Sequence, residues 1–379
     1  MKKLCYILPE YDEKTATHFA HLYDFIREIS KDFDLLVIVE RTRVRKDLIN
    51  LDSSRIKVIR SEFLPLRLIE TAYHLKIARF GGYRDFYVHY SFLSAFMASL
   101  ITKVLGGRVL YWNAGEPWKY KRNILRGTLE KFTYKLITYL VTGTESLKKE
   151  YAKQYDLPLE KIKVMPNWVD TRKFQITNHK SQVHELRNQL DIKNDDKIAL
   201  FVHRLSKRKG AQYLPEIIKS FGEERVVFVI IGDGPERQNL ESRIPKGPSP
   251  RALGMNHESG GRVRILGWVP NKELPNYYAM ADIFIMPSDE EGFPRVLLEA
   301  MAAKVPFVAS DVGGVKEIIP KGFQEYICAA GDTSCFSAKI KKLLLESEGE
   351  INAIKKIESE QANKFSLANS AKIFKEFFK

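Results

Sequence analysis

Short apolar runs alternate with helical patterns along this chain, and this alternation restricts the possible folds more than any other feature. Leu4–Leu8 and Phe33–Val39 predict buried strands, and the stretch 15–31 between them has apolar residues at helical spacing. The same pattern continues with predicted strands at Phe86–His89, Arg108–Trp112, Thr138–Val141 and Ile162–Met165. Strands joined by helices run parallel, so the pattern predicts a parallel sheet covered on both faces.

The alternation stops in a polar stretch at about 175–196 and then restarts. Further strands are predicted at Lys197–His203, Val226–Ile231, Val263–Leu266, Ile283–Met286 and Pro306–Val308. We therefore expect an α/β protein with one domain over 1–175, a second over 176–363, and an amphipathic C-terminal helix over 364–379 whose apolar face must dock elsewhere on the protein. Two facing, doubly wound sheets would form a central cleft, because ligands of such sheets bind at the carboxyl ends of the strands.

The net charge of +14 points to an anionic partner. Nucleic acid, an anionic membrane surface and an anionic substrate all remain open on composition alone. Basic residues cluster at Arg41–Lys46 and, mixed with aromatic ones, at Pro117–Arg126 with Lys131 and Lys135 beyond. These clusters are either solvated faces or contacts with anionic lipid headgroups or with a lipid-diphosphate acceptor.

Several features bear on the location of the protein. No apolar run reaches the roughly 18 residues that a transmembrane helix needs, and the N-terminus is polar too early for a secretory signal. Three cysteines cannot form a disulfide framework, and we expect them to be free thiols in a reducing compartment. The expected location is the cytoplasm, with peripheral contact at the inner face of the cell membrane as an extension.

The segment after Ile283–Met286 has the strongest chemical pattern. Acids and a glycine precede a helix that we expect to begin near Pro294, since proline is favoured at a first helical position. Free backbone N–H groups at such a helix start bind phosphate. Glu291 lies at the mouth, and Glu299 follows a little over two helical turns later. Both carboxylates can face one ligand; alternatively Glu291 is a capping acid and Glu299 a solvated helix residue.

A basic loop follows the first predicted strand of the second domain. Arg204 and Lys209 lie just past Lys197–His203, where two cations can neutralise a diphosphate. Lys207 and Arg208 are better interpreted as solvated. The glycine turn in Ile230–Glu236 is a weak nucleotide signal by itself because it lacks the full dinucleotide fingerprint.

Together these segments resemble the C-terminal domain of the family 4 glycosyltransferases, which have the GT-B fold of two facing Rossmann-like domains. The resemblance is specific over about 160–320 and looser over 1–160. It is carried by Met165-Pro-Asn-Trp-Val-Asp, His203-Arg-Leu with Lys209-Gly, Gly232-Asp-Gly-Pro, Leu266-Gly-Trp-Val-Pro, Glu291-Gly-Phe-Pro with Leu298-Glu-Ala-Met-Ala, and Ser310-Asp-Val-Gly-Gly.

The resemblance implies roles for individual residues. Arg204 and Lys209 would hold the donor diphosphate, Glu291 would meet the donor sugar, and these three form the expected catalytic set. Glu299 would bind the ribose hydroxyls, and the backbone near Val269 would line the base pocket. The remaining donor-binding candidates are Phe293, Pro294, Arg295 and Val296.

The resemblance also implies a UDP- or GDP-sugar as co-substrate, retention of anomeric configuration, and no cofactor or catalytic metal. It further implies that the C-terminal helix over 364–379 packs back on the first domain. Asp32-Phe33-Asp34 spells a metal-binding pattern but lies between a helix and a buried strand, so we interpret it as a chance match. In the first domain, His18 roughly matches a family position and is equally well a structural cap. Asn113 stands where the family often has a histidine; it can donate a hydrogen bond but cannot act as a general base.

The sequence thus predicts a retaining hexosyltransferase acting on a glycan or lipid-linked acceptor in surface polysaccharide or glycolipid synthesis. Two alternatives stay open. A sugar-nucleotide epimerase could use the same scaffold, and a non-enzymatic nucleic-acid-binding protein would explain the basic charge. The second explains neither the acid pair nor the lack of an RNA-binding signature, so we expect no nucleic-acid partner.

Overall fold

The computed structural model describes residues 1–10, 20–40, 55–121, 123–175, 180–222, 224–244 and 262–379. The chain divides into two compact units, Met1–Pro166 with Ala368–Lys379, and Asn167–Leu367. The expected boundary at 175 therefore falls inside the second unit. The physical reason is the short helix Thr171–Phe174, because the Phe174 ring packs edge-on at 5.5 Å against Tyr278 of that unit.

Strands and helices alternate along both units. The described strands are β1 (Lys2–Leu8), β2 (Phe33–Val39), β3 (Ile56–Val58), β4 (Asp85–His89), β5 (Arg108–Trp112), β6 (Tyr139–Thr142), β7 (Ile162–Val164), β8 (Lys197–Val202), β9 (Val226–Ile231), β10 (Val263–Ile265), β11 (Ile283–Met286), β12 (Phe307–Ser310) and β13 (Ile327–Cys328). The described α-helices are α1 (Ala20–Ile29), α2 (Leu64–Phe80), α3 (Phe92–Leu105), α4 (Ile124–Leu136), α5 (Glu145–Tyr155), α6 (Thr171–Phe174), α7 (Lys180–Gln189), α8 (Leu214–Lys219), α9 (Arg237–Arg243), α10 (Leu274–Met280), α11 (Arg295–Ala302), α12 (Val315–Ile318), α13 (Thr333–Leu345), α14 (Glu348–Lys364) and α15 (Leu367–Glu376). In the described part of the chain, none of these helices is long and apolar enough to cross a bilayer.

The first unit is a parallel sheet in the order β3-β2-β1-β4-β5-β6-β7. Right-handed crossovers place α2, α3, α4 and α5 on one face and α1 on the other. The core agrees with this, because Leu75 of α2, Ala98 of α3, Tyr134 of α4 and Tyr151 of α5 are buried in one cluster with Ile7 of β1.

Helix α15 returns to the first unit and covers the opposite face of its sheet. Phe374 is completely buried, and its ring centroid lies 4.8 Å from Tyr87, 5.2 Å from Phe25 and 5.8 Å from Phe33. The last helix is therefore part of the core of the first unit.

The second unit is a parallel sheet in the order β10-β9-β8-β11-β12-β13. The chain runs outward from β8 through β9 to β10 and then returns to β11 on the other side of β8, where Ile283 pairs with Ala199. This reversal creates a switch point between β8 and β11. Two doubly wound α/β units confirm the predicted fold class.

The cysteine prediction was wrong for two of the three residues. Cys328 ends β13 and Cys335 lies in the first turn of α13, where Asp332 accepts a hydrogen bond from the Cys335 N–H at 2.9 Å. This turn brings the two Cα atoms to 5.9 Å, and the residues form a disulfide. Cys5 is a free, buried thiol. Cysteine usage therefore no longer indicates a reducing compartment.

We predict that thiol titration of the denatured protein detects one thiol without reductant and all three after reduction. Cys335→Ser should lower the free energy of unfolding by about 2 kcal/mol, because the closed loop is short and restricts the unfolded chain only moderately. Denaturant titration measures this, with Cys5→Ser as the variant that leaves the crosslink intact. Three free thiols before reduction would contradict the disulfide.

Candidate functional site

The candidate site lies at the switch point of the second unit. His203 follows the last residue of β8, and Ser288 and Glu291 follow β11, the neighbouring strand. The carboxyl ends of adjacent parallel strands open at the same edge of a sheet, so the sheet order itself brings these side chains together. Ligands of open α/β sheets bind at this kind of position.

The centre of the site is a buried carboxylate with three partners. Glu291 is only 5% exposed, and its oxygens lie 2.8 Å from Lys209 Nζ and 3.0 Å from His203 Nε2. Ser288 Oγ donates a third hydrogen bond at 2.9 Å. Burial alone would raise the pKa of Glu291, but the Lys209 charge and the His203 contact together lower it to about 2. Glu291 is therefore ionised and fixes the position of the Lys209 ammonium.

Hydrogen bonding settles the tautomer of His203. Its Nδ1 accepts the Arg204 backbone N–H at 2.9 Å, which leaves the proton on Nε2, facing Glu291. Burial lowers the pKa of His203, and the neighbouring Glu291 only partly opposes that effect. At neutral pH the His203 ring is therefore an uncharged hydrogen-bond donor, and Lys209 supplies the positive charge that balances the Glu291 carboxylate.

Two glycines allow the loops to approach closely enough for this cluster. Gly210 has φ +73°, and a Cβ there would lie 1.8 Å from the Pro287 carbonyl oxygen. Gly313 has φ +51°, and its Cβ would lie 1.5 Å from the Glu291 carbonyl oxygen. A side chain at either position would both strain the backbone and push the site loops apart.

Backbone hydrogen bonds join the loops that follow β8, β9 and β11. Leu205 N–H donates to the Asp233 carbonyl at 2.9 Å, and Asp289 N–H donates to the Arg208 carbonyl at 2.9 Å. The Asp289 carboxylate also accepts from Tyr213 Oη at 2.9 Å. The loop segments 203–210, 232–235 and 287–294 are thus linked by hydrogen bonds, and we call them the rim of the site.

Arg204 is an exposed cation of this rim. Its guanidinium has no hydrogen bond or ion pair with the part of the chain that the structure describes. Arg208, by contrast, lies 3.5 Å from the Glu290 carboxylate. Lys209 and Arg208 are thus each paired with a carboxylate, whereas Arg204 has no such partner among the described residues.

Glu299 forms a second buried group on α11. It is 6% exposed, and its carboxylate accepts from Arg295 Nη2 at 3.0 Å and from Tyr278 Oη at 3.1 Å. Burial raises the pKa of Glu299, while Arg295 and the Tyr278 hydrogen bond oppose the rise. Glu299 lies one helical turn after Arg295, so the two side chains can pair along the helix. The Arg295 guanidinium is thus used by Glu299, and Arg295 contributes its backbone N–H to the start of α11.

The start of α11 supplies free amide groups beside the cluster. The helix begins at Arg295 with Pro294 as its cap residue, so the N–H groups of Arg295 and Val296 have no intrahelical acceptor. Phe293 is buried, and its carbonyl accepts a hydrogen bond from Asn167 Nδ2 at 3.2 Å. This contact explains the Met165-Pro-Asn segment of the sequence, because Asn167 holds the turn before the helix.

Val269 lies in the wall of a separate cavity of about 320 Å³. Trp268 lines it from the same loop, Glu185 from α7, and Tyr277 from α10. The loop is joined to the rim because Gly232 N–H donates to the Gly267 carbonyl at 2.7 Å.

The sequence also predicted two candidates in the first domain, Asn113 and His18. Asn113 belongs to the first unit, where its amide donates to Tyr134 Oη at 3.0 Å and its Oδ1 accepts from Gly115 N–H at 3.0 Å. These bonds give Asn113 a local structural role. His18 lies outside the described residues.

The sequence candidates did not include His203, Ser288 and Tyr278. His203 stood in a quoted segment directly after a predicted strand, which was a usable signal. Ser288 and Tyr278 gave no comparable signal, because their roles rest on hydrogen bonds to Glu291 and Glu299 that form only in the folded protein.

Comparisons with known proteins point in one direction. Residues 182–360 match the family model of glycosyl transferases group 1. An uncharacterized glycosyltransferase of Methanocaldococcus jannaschii is 35% identical over 184 residues, which are 48% of this chain and 44% of that protein. An Escherichia coli UDP-Gal:α-D-GlcNAc-diphosphoundecaprenol α-1,3-galactosyltransferase is 29% identical over 55% of this chain and 51% of its own length. The chain thus matches about half the length of these relatives.

A solved structure matches the whole chain. Anabaena HepE, crystallised with UDP and glucose, superposes with a TM-score of 0.80 at 19% identity, covering 100% of this chain and 99% of that one. At this identity the likeness shows the fold alone, and that fold is GT-B.

We predict that Glu291→Gln lowers the free energy of unfolding by about 3 kcal/mol at neutral pH, because it leaves the partly buried Lys209 ammonium without its counter-charge. The native pKa of Glu291 is about 2 against 4.5 for the free group, so its contribution is fully present above pH 4.5. The contribution is lost as the pH falls from 4.5 towards 2, and the stability difference between the two proteins should shrink over that window.

Urea unfolding across this pH range measures the difference, and Glu150→Gln on the exposed side of α5 is the matched control. A wild-type advantage over Glu291→Gln that stays constant from pH 6 down to 2.5, at about 3 kcal/mol, would show that the carboxylate is not held ionised by Lys209.

Proposed function

We propose that this protein, whose residues 182–360 match the family model of glycosyl transferases group 1, transfers a hexosyl group from a nucleoside diphosphate sugar to a hydroxyl group of an acceptor. The observation that carries this proposal is the Glu291–Lys209–His203 cluster at the switch point between β8 and β11. It places a fixed ammonium where the ligand of such a sheet binds.

The donor diphosphate would bind between two cations and a helix start. The unpaired Arg204 and the Lys209 ammonium face the anion, and the first amide groups of α11, at Arg295 and Val296, offer further donors. Glu291 orients Lys209 and offers its remaining acceptor capacity to the hydroxyl groups of the donor sugar.

The nucleoside would bind on the Glu299 side. The Glu299 carboxylate is the acceptor for the two ribose hydroxyls, and the hydrogen bond from Tyr278 fixes the orientation of that carboxylate. The base would lie by the loop of Trp268 and Val269. Crystals of HepE contain UDP, and a UDP-sugar is accordingly the first donor to test, with GDP-sugars as the alternative.

The chemistry would require no resident cofactor and no metal, since cations of the chain itself face the diphosphate. The bond between the anomeric carbon and the diphosphate oxygen breaks, and the charge that develops on that oxygen is stabilised by Lys209 and Arg204. The acceptor hydroxyl attacks from the same face, its oxygen bonds to the anomeric carbon, and its proton passes to the departing phosphate. The anomeric configuration is then retained.

The acceptor would be a glycan or a lipid-linked glycan in surface polysaccharide or glycolipid synthesis. The support is the E. coli relative, whose name specifies a diphosphoundecaprenol acceptor. The enzyme would then work in the cytoplasm at an anionic membrane surface and would need no nucleic-acid partner.

We predict that UDP-hexoses raise the melting temperature of the protein, because a ligand that binds only the folded state stabilises it. Glu299→Gln should weaken nucleotide binding about tenfold, since it removes charged hydrogen bonds to the ribose. Titration calorimetry with UDP and GDP measures the affinity, and Glu360→Gln on the exposed side of α14 is the control. Unchanged affinity in Glu299→Gln would remove the ribose role.

Lys209→Ala should lower turnover by about 10²–10³-fold, the usual effect of removing one donor to a developing oxyanion. Product formation from donor and acceptor is measured in buffer with EDTA, and Lys207→Ala in the same exposed loop serves as the control. Donor incubated alone should not isomerise, whereas an isomerised sugar would identify an epimerase. Full activity of Lys209→Ala, or a wild type that EDTA inactivates, would contradict the electrostatic role.

A further inference from the structure

Helix α2 turns a continuous apolar stripe away from its own sheet. Its buried positions, Thr71, Leu75 and Ala78, face the core. The exposed positions Leu66, Ile69, Tyr73, Ile77 and Phe80 follow each other at helical spacing on the opposite side. Ile69 is 66% and Phe80 76% exposed. A layer helix of a soluble protein normally has charged residues there.

The neighbouring helices extend this apolar surface. Exposed large hydrophobic residues continue on α3 with Leu100 and Val104, and on α4 with Ile124, Leu125 and Phe132. The three helices lie side by side, because Arg79 at the end of α2 donates to the Gly106 carbonyl after α3 at 2.6 Å. The Phe96 ring of α3 also lies 6.2 Å from that of Phe132. We call this surface the outer face of α2–α4.

The fully exposed charged groups of the outer face of α2–α4 all have the same sign. Within the described residues, the exposed charged side chains of these helices are Lys76, Lys103, Arg126, Lys131 and Lys135. The two acids of the helices are withdrawn, since Glu130 is buried and Glu70 accepts from the backbone N–H groups of Arg60 and Ser61. The fully exposed charges on these helices are therefore all cationic and lie beside protruding apolar side chains.

This combination is not a general property of the protein. Helix α5 belongs to the same layer, yet its exposed residues include Lys149, Glu150 and Lys153. In the second unit, the large hydrophobics exposed among the described residues are only Trp268, Leu345 and Ile357, one in a loop and two on different helices. The apolar and cationic character is thus confined to three adjacent helices of the first unit.

The structure also changes which residues of the basic segment after β5 can reach a lipid. Trp118 packs inward, with its ring 5.0 Å from Tyr151, and Lys119 is paired with Glu116 at 2.9 Å. The cluster at Arg41–Lys46 lies outside the described residues. The apolar contacts available to a membrane therefore come from α2, α3 and α4.

We propose that the outer face of α2–α4 docks the enzyme on a bilayer containing anionic phospholipids, which deepens the membrane-associated part of the proposed function and rests on it for its purpose. The apolar side chains enter the interface between headgroups and acyl chains, and the cations bind lipid phosphates. A second copy of the chain fits less well, because a two-fold interface would press these cations against one another.

The test is co-sedimentation of the full chain with phosphatidylcholine vesicles, with and without phosphatidylglycerol. Wild type should bind the anionic vesicles, and binding should weaken as salt increases. The triple substitution Tyr73→Ser, Ile77→Ser and Phe80→Ser should weaken binding at least about tenfold, because three side chains no longer enter the interface. Lys131→Ala with Lys135→Ala should weaken it about tenfold as well.

Matched controls lie elsewhere on the protein. Leu345→Ser removes a hydrophobic side chain that is 85% exposed in the second unit, and Lys149→Ala with Lys153→Ala removes the same number of cations from α5. Both should bind vesicles like wild type. All substituted residues are exposed, so melting temperatures should stay unchanged and exclude misfolding.

The outcomes separate this proposal from the proposed function. A wild type that binds a UDP-sugar but no anionic vesicle would overturn the docking surface alone, and one that binds vesicles but no nucleotide sugar would overturn the function alone. Equal losses in the α2 variant and in Leu345→Ser would also overturn the docking surface. So would a dimer in sedimentation velocity that the α2 substitutions dissociate, because a second copy would then cover it.

Discussion

The ionised carboxylate of Glu291, almost entirely withdrawn from water, sets the geometry on which the second unit depends. An ionised group at that depth is costly unless an opposite charge and hydrogen bonds compensate it. Lys209 and His203 come from the segment after β8, and Ser288 from the one after β11. Neither loop can shift without exposing or orphaning the charge, so the carboxylate fixes both loops and, with them, the start of α11.

The fold was largely accessible from sequence because buried parallel strands are nearly continuous apolar runs. Phe33–Val39 and Val226–Ile231 were predicted with their observed bounds. The strands that the pattern missed, Ile56–Val58 and Ile327–Cys328, are three and two residues long, too short to show any period. Arg264 illustrates a second difficulty. It lies buried within β10, where its guanidinium binds the carbonyl oxygens of Leu190 and Asp191, contacts that no local pattern reveals.

The site was accessible where its residues follow strand ends or lie at a telling spacing from one that does. Glu291 and Lys209 could be selected because an acid or a cation soon after a predicted strand is conspicuous, and Glu299 because of its spacing from Glu291 along the predicted helix. That Lys209 and Glu291 form a pair could not be predicted, since it depends on β8 lying beside β11, and strand order is a property of the whole sheet. Asn113 was selected in the same way, by its position after β5; its amide oxygen accepts from the Gly115 N–H and so holds the next turn.

Sequence periodicity also does not distinguish an apolar helix face that packs into the core from an apolar face that stays exposed. Helix α2 has apolar residues on both sides, a pattern typical of a fully buried helix, and yet only Leu75 and its neighbours reach the core. Burial of Ile69 and Phe80 contributes nothing to folding, because both remain exposed in the folded chain. Their apolar character therefore has no explanation inside the first unit, and together with the positive charge beside them, at Lys76 and Lys103, it is the basis of the proposed docking on an anionic surface.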